Sequence, residues 1–274
     1  MRRRGLTIVP LILAALFGLF QYFGANKVTN PETGKTVRVA LTSDQEEALG
    51  LQSYQEILSQ SETLQSGPEV DLVVGVAKKL AAATGDAGGS FNWQVSVIRS
   101  DQANAFCLPG GKIAVYTGIL PYTQNEAGLA AVMGHEMAHA IARHASQRIL
   151  RSSLTQTMMM GAALSTGNMD PRDRQMLMGL LGAGAQFGII LPFSRDHETE
   201  ADQMGLIYMA RAGYDPREAI AFWQRMSQSG GNQPPEFAST HPSHGTRVRN
   251  LEAFIPRAMQ EFGKGAPSVA SAGN

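Results

Sequence analysis

His135-Glu136-Met137-Ala138-His139 lies near the middle of this 274-residue chain and contains two histidines four residues apart. Apolar residues recur at helical spacing from residue 125 to residue 151, so we predict one long buried helix there. Residues four apart share a helix face, so the imidazoles of His135 and His139 can reach one zinc ion. Glu136 is then placed to act as the general base toward water at that metal. The pattern therefore indicates a zinc-dependent hydrolase.

A third zinc ligand is expected on a second helix, predicted over residues 196–212. On that helix Glu198 and Asp202 share a face, whereas Glu200 points away and is expected to be a surface charge or to lie near the ligands. We predict that Glu198 completes the ligand set of one Zn²⁺ per chain. Asp202 is placed to accept the free N–H of a zinc-bound histidine and fix its tautomer. The small residue Gly205 lets the two helices approach closely.

The composition excludes several other classes of protein. Hydrophobic residues make up 43% of the chain and charged residues 17%, which is typical of a folded globular protein. Lys and Arg number 23 and Asp and Glu also number 23, so the chain lacks the basic surplus of a nucleic-acid binder. Cys107 is the single cysteine, so any metal must be held by histidines and carboxylates.

The amino-terminal segment is apolar from residue 6 to residue 23 and follows three arginines at residues 2–4. We predict that this segment is a transmembrane anchor, with a cleaved signal peptide as the main alternative. A buried core helix is the third interpretation, but core helices rarely begin behind three arginines. The arginines would stay in the cytoplasm, so the rest of the chain would be periplasmic and tethered to the inner membrane. A cleaved signal would instead release the chain into the periplasm.

The rest of the chain is divided by its composition into three parts. After the anchor or signal at residues 1–25, a polar tether is predicted for residues 26–42 and a disordered tail for residues 263–274. The catalytic domain is predicted between them, over residues 43–262. Outside the two zinc-binding helices, this domain is predicted to contain helices at 43–61, 69–83, 172–190, 215–228 and 244–262 and strands at 92–97, 105–108 and 112–117. The expected fold class is α+β and mostly α-helical, with a small β-sheet beside the zinc helix.

Several further motifs accompany the zinc motif. They lie at residues 104–106 (Asn-Ala-Phe), 109–113 (Pro-Gly-Gly-Lys-Ile), 194–202 and 241–247, the last beginning His-Pro and ending in Arg. Together with residues 135–139, the set resembles the metallopeptidase family that includes the CAAX prenyl endopeptidase, HtpX and the periplasmic BepA-type proteases. The resemblance covers about residues 43–255, and the lack of several membrane spans favours the periplasmic branch.

The resemblance implies a gluzincin-type fold with Glu198 as a zinc ligand and with His241 and Arg247 near the metal. Amide hydrolysis forms an oxyanion that needs a donor opposite the metal, and these two residues are the donors that the motifs leave for that role. Alternatively, His241 ligates zinc in the resting state, or it merely caps a loop while Arg247 pairs with a carboxylate. Substrate is expected to add a strand to the sheet edge at Ala103, Asn104, Ala105 and Phe106.

Two functions follow from these residues. The first is a zinc endopeptidase of the bacterial cell envelope that hydrolyses unfolded or misassembled proteins, with polypeptides as partners and no nucleic acid. The second is a chaperone or adaptor that binds envelope polypeptides while His241 blocks the zinc site. Neither the natural substrate nor the oligomeric state follows from the sequence.

Overall fold

A computed structural model of the chain describes residues 7–186, 191–228, 235–241, 246–262 and 264. The arginines at residues 2–4, Pro242 and, apart from residue 264, the predicted tail lie outside the described residues. The helices of the described part are α1 (Val9–Gly24), α2 (Ser43–Ser59), α3 (Pro68–Ala83), α4 (Leu120–Thr123), α5 (Glu126–Ile141), α6 (His144–Ser165), α7 (Pro171–Ala185), α8 (Leu191–Arg211), α9 (Glu218–Gln228), α10 (Glu236–Thr240) and α11 (Arg247–Met259).

The strands form two small sheets. They are β1 (Asn26–Thr29), β2 (Thr36–Val39), β3 (Thr63–Leu64), β4 (Gln94–Ile98), β5 (Ala105–Leu108) and β6 (Lys112–Tyr116). Strands β1 and β2 pair as an antiparallel hairpin within the segment predicted to be a tether. The other four strands are ordered β3-β4-β6-β5, with β4 parallel to β6 and β5 antiparallel to it. The predicted class, α+β and mostly helical, is confirmed.

The helix predicted over residues 125–151 is two helices. Asn125 caps α5, because its side chain accepts a hydrogen bond of 2.8 Å from the N–H of Gly128. Helix α5 ends before Arg143, whose φ of 58° is left-handed, and α6 begins at the next residue. Apolar periodicity shows that residues are helical, but it does not show where the axis turns. The prediction of one continuous helix was wrong for that reason.

The described residues group into two compact units. The first comprises the described residues up to Thr29, Lys35–Thr42 and Arg143–His197, and the second comprises Asn30–Gly34, Ser43–Ala142 and the described residues from Glu198 onward. The predicted boundaries at residues 42 and 262 stay predictions.

In the second unit the four-stranded sheet has a helix layer on each face. Val97 and Val115 belong to the main core, which also contains buried residues of α3 and α5. Their strand neighbours Ile98 and Ala114 face the other way and pack against Tyr54 of α2. This arrangement buries α5 beside the sheet, and every residue of α5 from Gly128 to Ile141 is buried.

In the first unit α1 packs along α6. A Cβ atom at Gly161 of α6 would lie 2.3 Å from the Cβ of Ala14 in α1, so only glycine allows this close approach. Helix α1 has 16 residues. Across the described residues, no helix combines the length and the apolar character that a membrane crossing requires. The predicted transmembrane anchor at residues 6–23 is therefore not supported.

Candidate metal centre

Helix α5 places the two histidines of the zinc motif side by side in the interior of the second unit. Their Nε2 atoms lie 3.1 Å apart, and both side chains are buried. Two imidazole nitrogens that converge in this way are placed to bind one metal ion. This convergence is the one predicted from the spacing of His135 and His139.

Helix α8 brings the predicted third ligand to the same point. Glu198 Oε2 lies 3.3 Å from His135 Nε2, and Glu198 Oε1 lies 3.4 Å from His139 Nε2. The close approach depends on Gly205, because a Cβ atom there would lie 2.9 Å from the backbone nitrogen of His135. Zinc binds imidazole nitrogen at about 2.0–2.1 Å with tetrahedral geometry, which requires donor atoms about 3.3 Å apart. The donor set therefore fits zinc.

Asp202 lies behind His135, as the sequence predicts for a residue that orients a ligand. Its Oδ1 is 2.9 Å from His135 Nδ1, so an N–H at Nδ1 donates to the carboxylate and leaves the Nε2 lone pair for a metal. Burial acts to lower the pKa of His135, but hydrogen bonds to Asp202 and Glu198 outweigh it and raise the pKa to about 9. Without a metal, the imidazole of His135 is therefore in its protonated, cationic form at neutral pH.

Glu198 is held in its charged form by the same cluster. Burial acts to raise the pKa of this carboxyl, but hydrogen bonds from His135, His139 and His241 outweigh burial and lower it well below its usual value. The ligand is therefore an anion throughout the physiological pH range.

His241 joins the donor set as a fourth group. Its Nδ1 atom is 3.0 Å from Glu198 Oε2 and 3.2 Å from His135 Nε2. The four ligand atoms of His135, His139, Glu198 and His241 all lie within 4.8 Å of one another. The structure thus brings His241 to the point where the zinc ligands converge, which we call the metal point. Four protein donors can fill the coordination sphere of zinc and leave no open position for water.

Glu136 faces the same space from the next position of α5. Its Oε1 atom is buried and accepts no hydrogen bond from any described residue, although His241 Nε2 lies 3.2 Å away. A buried carboxylate oxygen without a donor is costly unless a partner arrives. This oxygen can accept a hydrogen bond from a water molecule at the metal, as the base role predicted for Glu136 requires.

Arg247 lies at the start of α11 and reaches the acidic side of the site. Its Nη2 atom donates to Asp202 Oδ1 at 2.6 Å and its Nη1 atom donates to Glu198 Oε2 at 3.3 Å. Nη1 also donates to the carbonyl oxygen of His241 at 3.1 Å. The guanidinium stacks on Trp223, 3.6 Å from the ring centre. Arg247 therefore lies near the metal point, as expected, and contacts the ligands themselves.

The sequence analysis missed two aromatic residues that support the site. Trp223 of α9 and Phe237 of α10 stack on each other with ring centres 5.6 Å apart, and each also contacts the ring of His135. Neither residue stands at a fixed spacing from the zinc motif. In the sequence they are recognisable only as aromatic residues in amphipathic segments near the predicted site. Ordinary core residues have the same pattern.

The predicted substrate edge is formed by β5 and the residue pair before it. Asn104 O accepts a hydrogen bond of 3.0 Å from Tyr116 N, so the outward main-chain groups of β5 are those of Ala105 and Cys107. The N–H of Ala105 donates to the side chain of Asn104 at 2.9 Å. Ala103 O already accepts a hydrogen bond of 3.0 Å from Phe237 N.

Glu200 is buried but takes no part in the donor set. Its Oε1 atom accepts hydrogen bonds from Asn30 Nδ2 at 3.0 Å and from Thr33 Oγ1 at 3.2 Å. The expectation that Glu200 points away from the metal agrees with these contacts, whereas a surface position does not agree with its burial. The loop Asn30–Gly34 covers it.

Comparison with known proteins places this site in a family. The sequence model of peptidase family M48 matches residues 73–255, which include the two zinc helices, β5 and the start of α11. The chain belongs to peptidase family M48. This membership and the fitted donor set confirm the predicted class, a zinc metalloendopeptidase, and the predicted zinc cofactor.

Three relatives indicate the range of the similarity. The mitochondrial metalloendopeptidase OMA1 of Schizosaccharomyces pombe is 39% identical over 79% of this chain and 63% of its own length. The OMA1 protein of Saccharomyces cerevisiae is 30% identical over 91% of this chain and 75% of its own length. The beta-barrel assembly-enhancing protease of Yersinia pestis is 29% identical over 80% of this chain and 45% of its own length. The chain thus spans less than two thirds of the first and third of these relatives.

These relatives correct the predicted location. The periplasmic placement, with residues 6–23 as a tether to the inner membrane, is wrong, because the relatives at 39% and 30% identity are mitochondrial proteins. The predicted BepA-like branch is likewise not confirmed, since the bacterial relative is less similar than either OMA1 protein. Apolar composition and flanking arginines led to the error, and neither property identifies the compartment of a protein.

Proposed function

We propose that this chain hydrolyses peptide bonds in unfolded or misassembled polypeptides and so serves protein quality control. The observation that carries the proposal is the position of Glu136. A buried carboxylate oxygen without a hydrogen bond faces the point where His135, His139 and Glu198 converge. The periplasmic setting is not part of this proposal.

The chemistry follows from the chain's own residues. Zinc, when bound by the two histidines and Glu198, supplies a Lewis acid that polarises the scissile carbonyl and lowers the pKa of nearby water. Glu136 takes a proton from the attacking water and returns it to the leaving nitrogen as the C–N bond breaks. Asp202 holds His135 in the tautomer that leaves Nε2 free for the metal.

Binding of an extended polypeptide is proposed at the free edge of β5. The outward main-chain groups of Ala105 and Cys107 can pair with a substrate strand without reading its side chains. The side chain of Asn104 occupies the N–H of Ala105 and would have to yield it to a substrate carbonyl. Main-chain pairing needs an extended and unfolded segment, and this requirement supports quality control as the setting. The name of the bacterial relative, which refers to β-barrel assembly, agrees with that proposal.

The test is a Glu136→Gln variant assayed on casein, an unfolded substrate. Because glutamine keeps the shape but cannot accept the proton, we expect proteolysis to fall at least 10²-fold, as for loss of a general base. Zinc content measured by elemental analysis is expected to stay at one ion per chain, since Glu136 is not a ligand. Retained proteolysis would contradict the proposal.

A second candidate function rests on His241. Because its Nδ1 atom lies at the metal point, we propose that His241 acts as a fourth ligand in the resting state and excludes water. A chain in that state would bind polypeptides as a chaperone or adaptor without cleaving them. The oxyanion role predicted for His241 stays a prediction, and it requires the imidazole to leave the metal point first.

A His241→Ala variant separates the two roles. If His241 closes the site, casein hydrolysis should rise; if it stabilises the oxyanion, kcat should fall by about 10²-fold with little change in KM. Phe237→Leu is a suitable control, because it changes the aromatic support of the site but no donor atom. Unchanged kinetics would leave His241 with the loop-capping role.

Arg247 is proposed as a positioning residue rather than as the oxyanion donor predicted from the sequence. Its guanidinium is directed to Glu198, Asp202 and the His241 carbonyl, and these contacts hold Glu198 and His241 close together. An Arg247→Lys variant keeps the positive charge but loses the planar guanidinium, whose N–H groups bind Glu198 and Asp202 at the same time. We expect this variant to bind zinc more weakly, whereas an oxyanion donor would affect kcat alone.

A further inference from the structure

The first unit contains an apolar cavity that the proteolytic site does not use. The cavity has a volume of about 550 Å³ and is lined by residues of α1, α6 and α7. Its lining includes Leu11, Leu154, Met158, Met159, Leu177 and Leu181. This volume lies within the range of small-molecule sites, which are mostly apolar with few polar groups.

A second, polar pocket adjoins the first. It has a volume of about 490 Å³, and Arg151 and Leu154 of α6 line both pockets. Three basic side chains line the polar pocket, Lys35, Arg38 and Arg151, against one acidic side chain, Asp196. The excess of positive charge favours an anionic group there.

Arg38 is held in place at this pocket. Its Nη1 atom donates to the carbonyl oxygens of Phe23 at 3.0 Å and Ala25 at 3.2 Å. The guanidinium also lies over the ring of Tyr22, 4.7 Å from its centre. A fixed guanidinium loses little entropy when it binds an anion, so the pocket is organised before a ligand arrives.

From these two pockets we infer that the first unit binds an anionic amphiphile, with its acyl chain in the apolar cavity and its phosphate or carboxylate headgroup among Lys35, Arg38 and Arg151. The headgroup lies at the shared residues, and the chain extends along α6 toward Thr166. A ligand that fills both adjoining pockets needs an acyl chain and an anionic headgroup. A purely apolar ligand would leave the charged pocket empty, and a small anion would leave the apolar cavity empty.

The length of the cavity agrees with this ligand. Arg151 and Ser165 of α6 both line it, and a helix rises about 21 Å over the 14 residues that separate them. One acyl chain spans about 15 Å, half of a bilayer core of about 30 Å. A full fatty acyl chain therefore fits beside α6 with its headgroup at Arg151.

The test measures binding of three probes to the full-length protein by calorimetry, below their micelle concentrations. The probes are palmitoyl lysophosphatidic acid, the zwitterionic palmitoyl lysophosphatidylcholine and glycerol 3-phosphate, which has the headgroup without the chain. We expect the lysophosphatidic acid to bind at one per chain and at least tenfold more tightly than either of the other two. Equal affinity for the two lipids would overturn the headgroup assignment, and glycerol 3-phosphate binding as tightly as the lipid would reduce the site to a simple anion site.

Matched variants on α6 locate the ligand. Arg151→Gln is expected to weaken lysophosphatidic acid binding about tenfold or more, because a charge-assisted hydrogen bond is lost, whereas Arg148→Gln, an exposed arginine outside both linings, should leave it unchanged. Lys35→Gln, in the exposed turn before β2, provides a second headgroup variant should Arg151→Gln fail to fold.

The chain end of the ligand has its own pair of variants. Met159→Asp should weaken both lipids at least tenfold, because it places a charge in the apolar cavity, whereas Met160→Asp changes an exposed residue outside the lining and should have no effect. Equal losses from both variants would show adsorption to the surface and overturn the proposal. A dimer seen by light scattering that Met159→Asp dissociates, without lipid binding to the wild type, would assign the cavity to a second copy and also overturn it.

Discussion

The zinc centre and the cavity between α1, α6 and α7 are both built on long helices, but their side chains contribute in opposite ways. At the zinc centre the side chains are held by specific polar contacts, as between His135 Nδ1 and Asp202 Oδ1 at 2.9 Å. The cavity is lined by interchangeable apolar side chains, and α1 exposes much of its apolar surface, for example 73% of Phe20. The first region depends on the identity of each residue, and the second depends on shape.

This difference explains which region tolerates change. A buried polar network is destabilised strongly when one partner is lost, because the remaining groups stay desolvated. Apolar packing tolerates swaps of similar volume, usually for less than about 1.5 kcal/mol.

Glu198→Ala should abolish both zinc binding and proteolysis. The variant removes the one carboxylate among the four donor residues, and the imidazoles that remain, that of His241 included, lack its negative charge. Zinc content and casein hydrolysis measure the two losses, and we expect activity to fall more than 10³-fold. Glu200→Gln is the control, since Glu200 binds the loop at Asn30 rather than the metal. Full zinc occupancy in Glu198→Ala would move the third ligand to another residue.

Removal of the metal should make the free energy of unfolding depend on pH through the protonation of His135. The pKa of His135 is raised from 6.5 to about 9, so its stabilising contribution is fully present below pH 6.5 and is lost as the pH rises through 9. We expect the free energy of unfolding of chelator-treated protein to fall by up to about 3 kcal/mol between pH 6.5 and pH 9.5.

Urea unfolding at the two pH values gives this difference, and the same experiment on His135→Gln corrects for every other titrating group. The zinc-loaded protein should lack the effect, because a coordinated His135 carries no proton at Nε2. If chelator-treated wild type and His135→Gln show the same pH dependence, then the ion pairs at His135 contribute nothing to folding.

Asp202→Asn should weaken zinc binding by about 10- to 100-fold, because it alters the partner that orients a ligand and leaves the ligands themselves in place. Competition with a chelating dye measures the affinity. Asp196→Asn is the matched control on α8, since Asp196 lies at the polar pocket of the first unit. Wild-type affinity in Asp202→Asn would remove Asp202 from the zinc centre.

Two glycine substitutions test the region that depends on shape. Gly161→Ala places a Cβ atom 2.3 Å from Ala14, so we expect it to lower the free energy of unfolding by about 1–3 kcal/mol. Gly179→Ala in α7 meets nothing within 4 Å and should raise it by about 0.5–1 kcal/mol, because alanine favours helix. Chemical unfolding measures both. Opposite signs support the packing of α1 on α6, and equal effects would contradict it.

The sequence revealed the zinc centre because its chemistry requires particular residues at fixed spacing. His135, His139 and Glu198 converge as the helix periodicity indicated, and Asp202 lies where a helix face places it. The contacts of Arg247 and His241 depend on how α11 and α10 pack, and no periodic pattern encodes that packing. Trp223 was missed for the same reason, since its role depends on Arg247 above its ring.

The helices of the first unit were harder to predict. The apolar segment before residue 24 has the composition of a membrane anchor, and only the tertiary packing shows that α1 lies along α6. The break at Arg143 was also missed, because a left-handed arginine has no sequence signature comparable to that of glycine. In the second unit, strand β3 was also missed, because its two residues are too few to form an alternating pattern.

X-ray absorption at the zinc K-edge of the purified protein counts and identifies the donor atoms of the metal without an activity assay. We expect only nitrogen and oxygen donors at about 2.0–2.1 Å, with imidazole scattering from two histidines, or from three if His241 is the fourth ligand. Loss of one imidazole in His139→Ala would agree with this expectation. A sulfur donor at about 2.3 Å, or a zinc shell without imidazole, would contradict it.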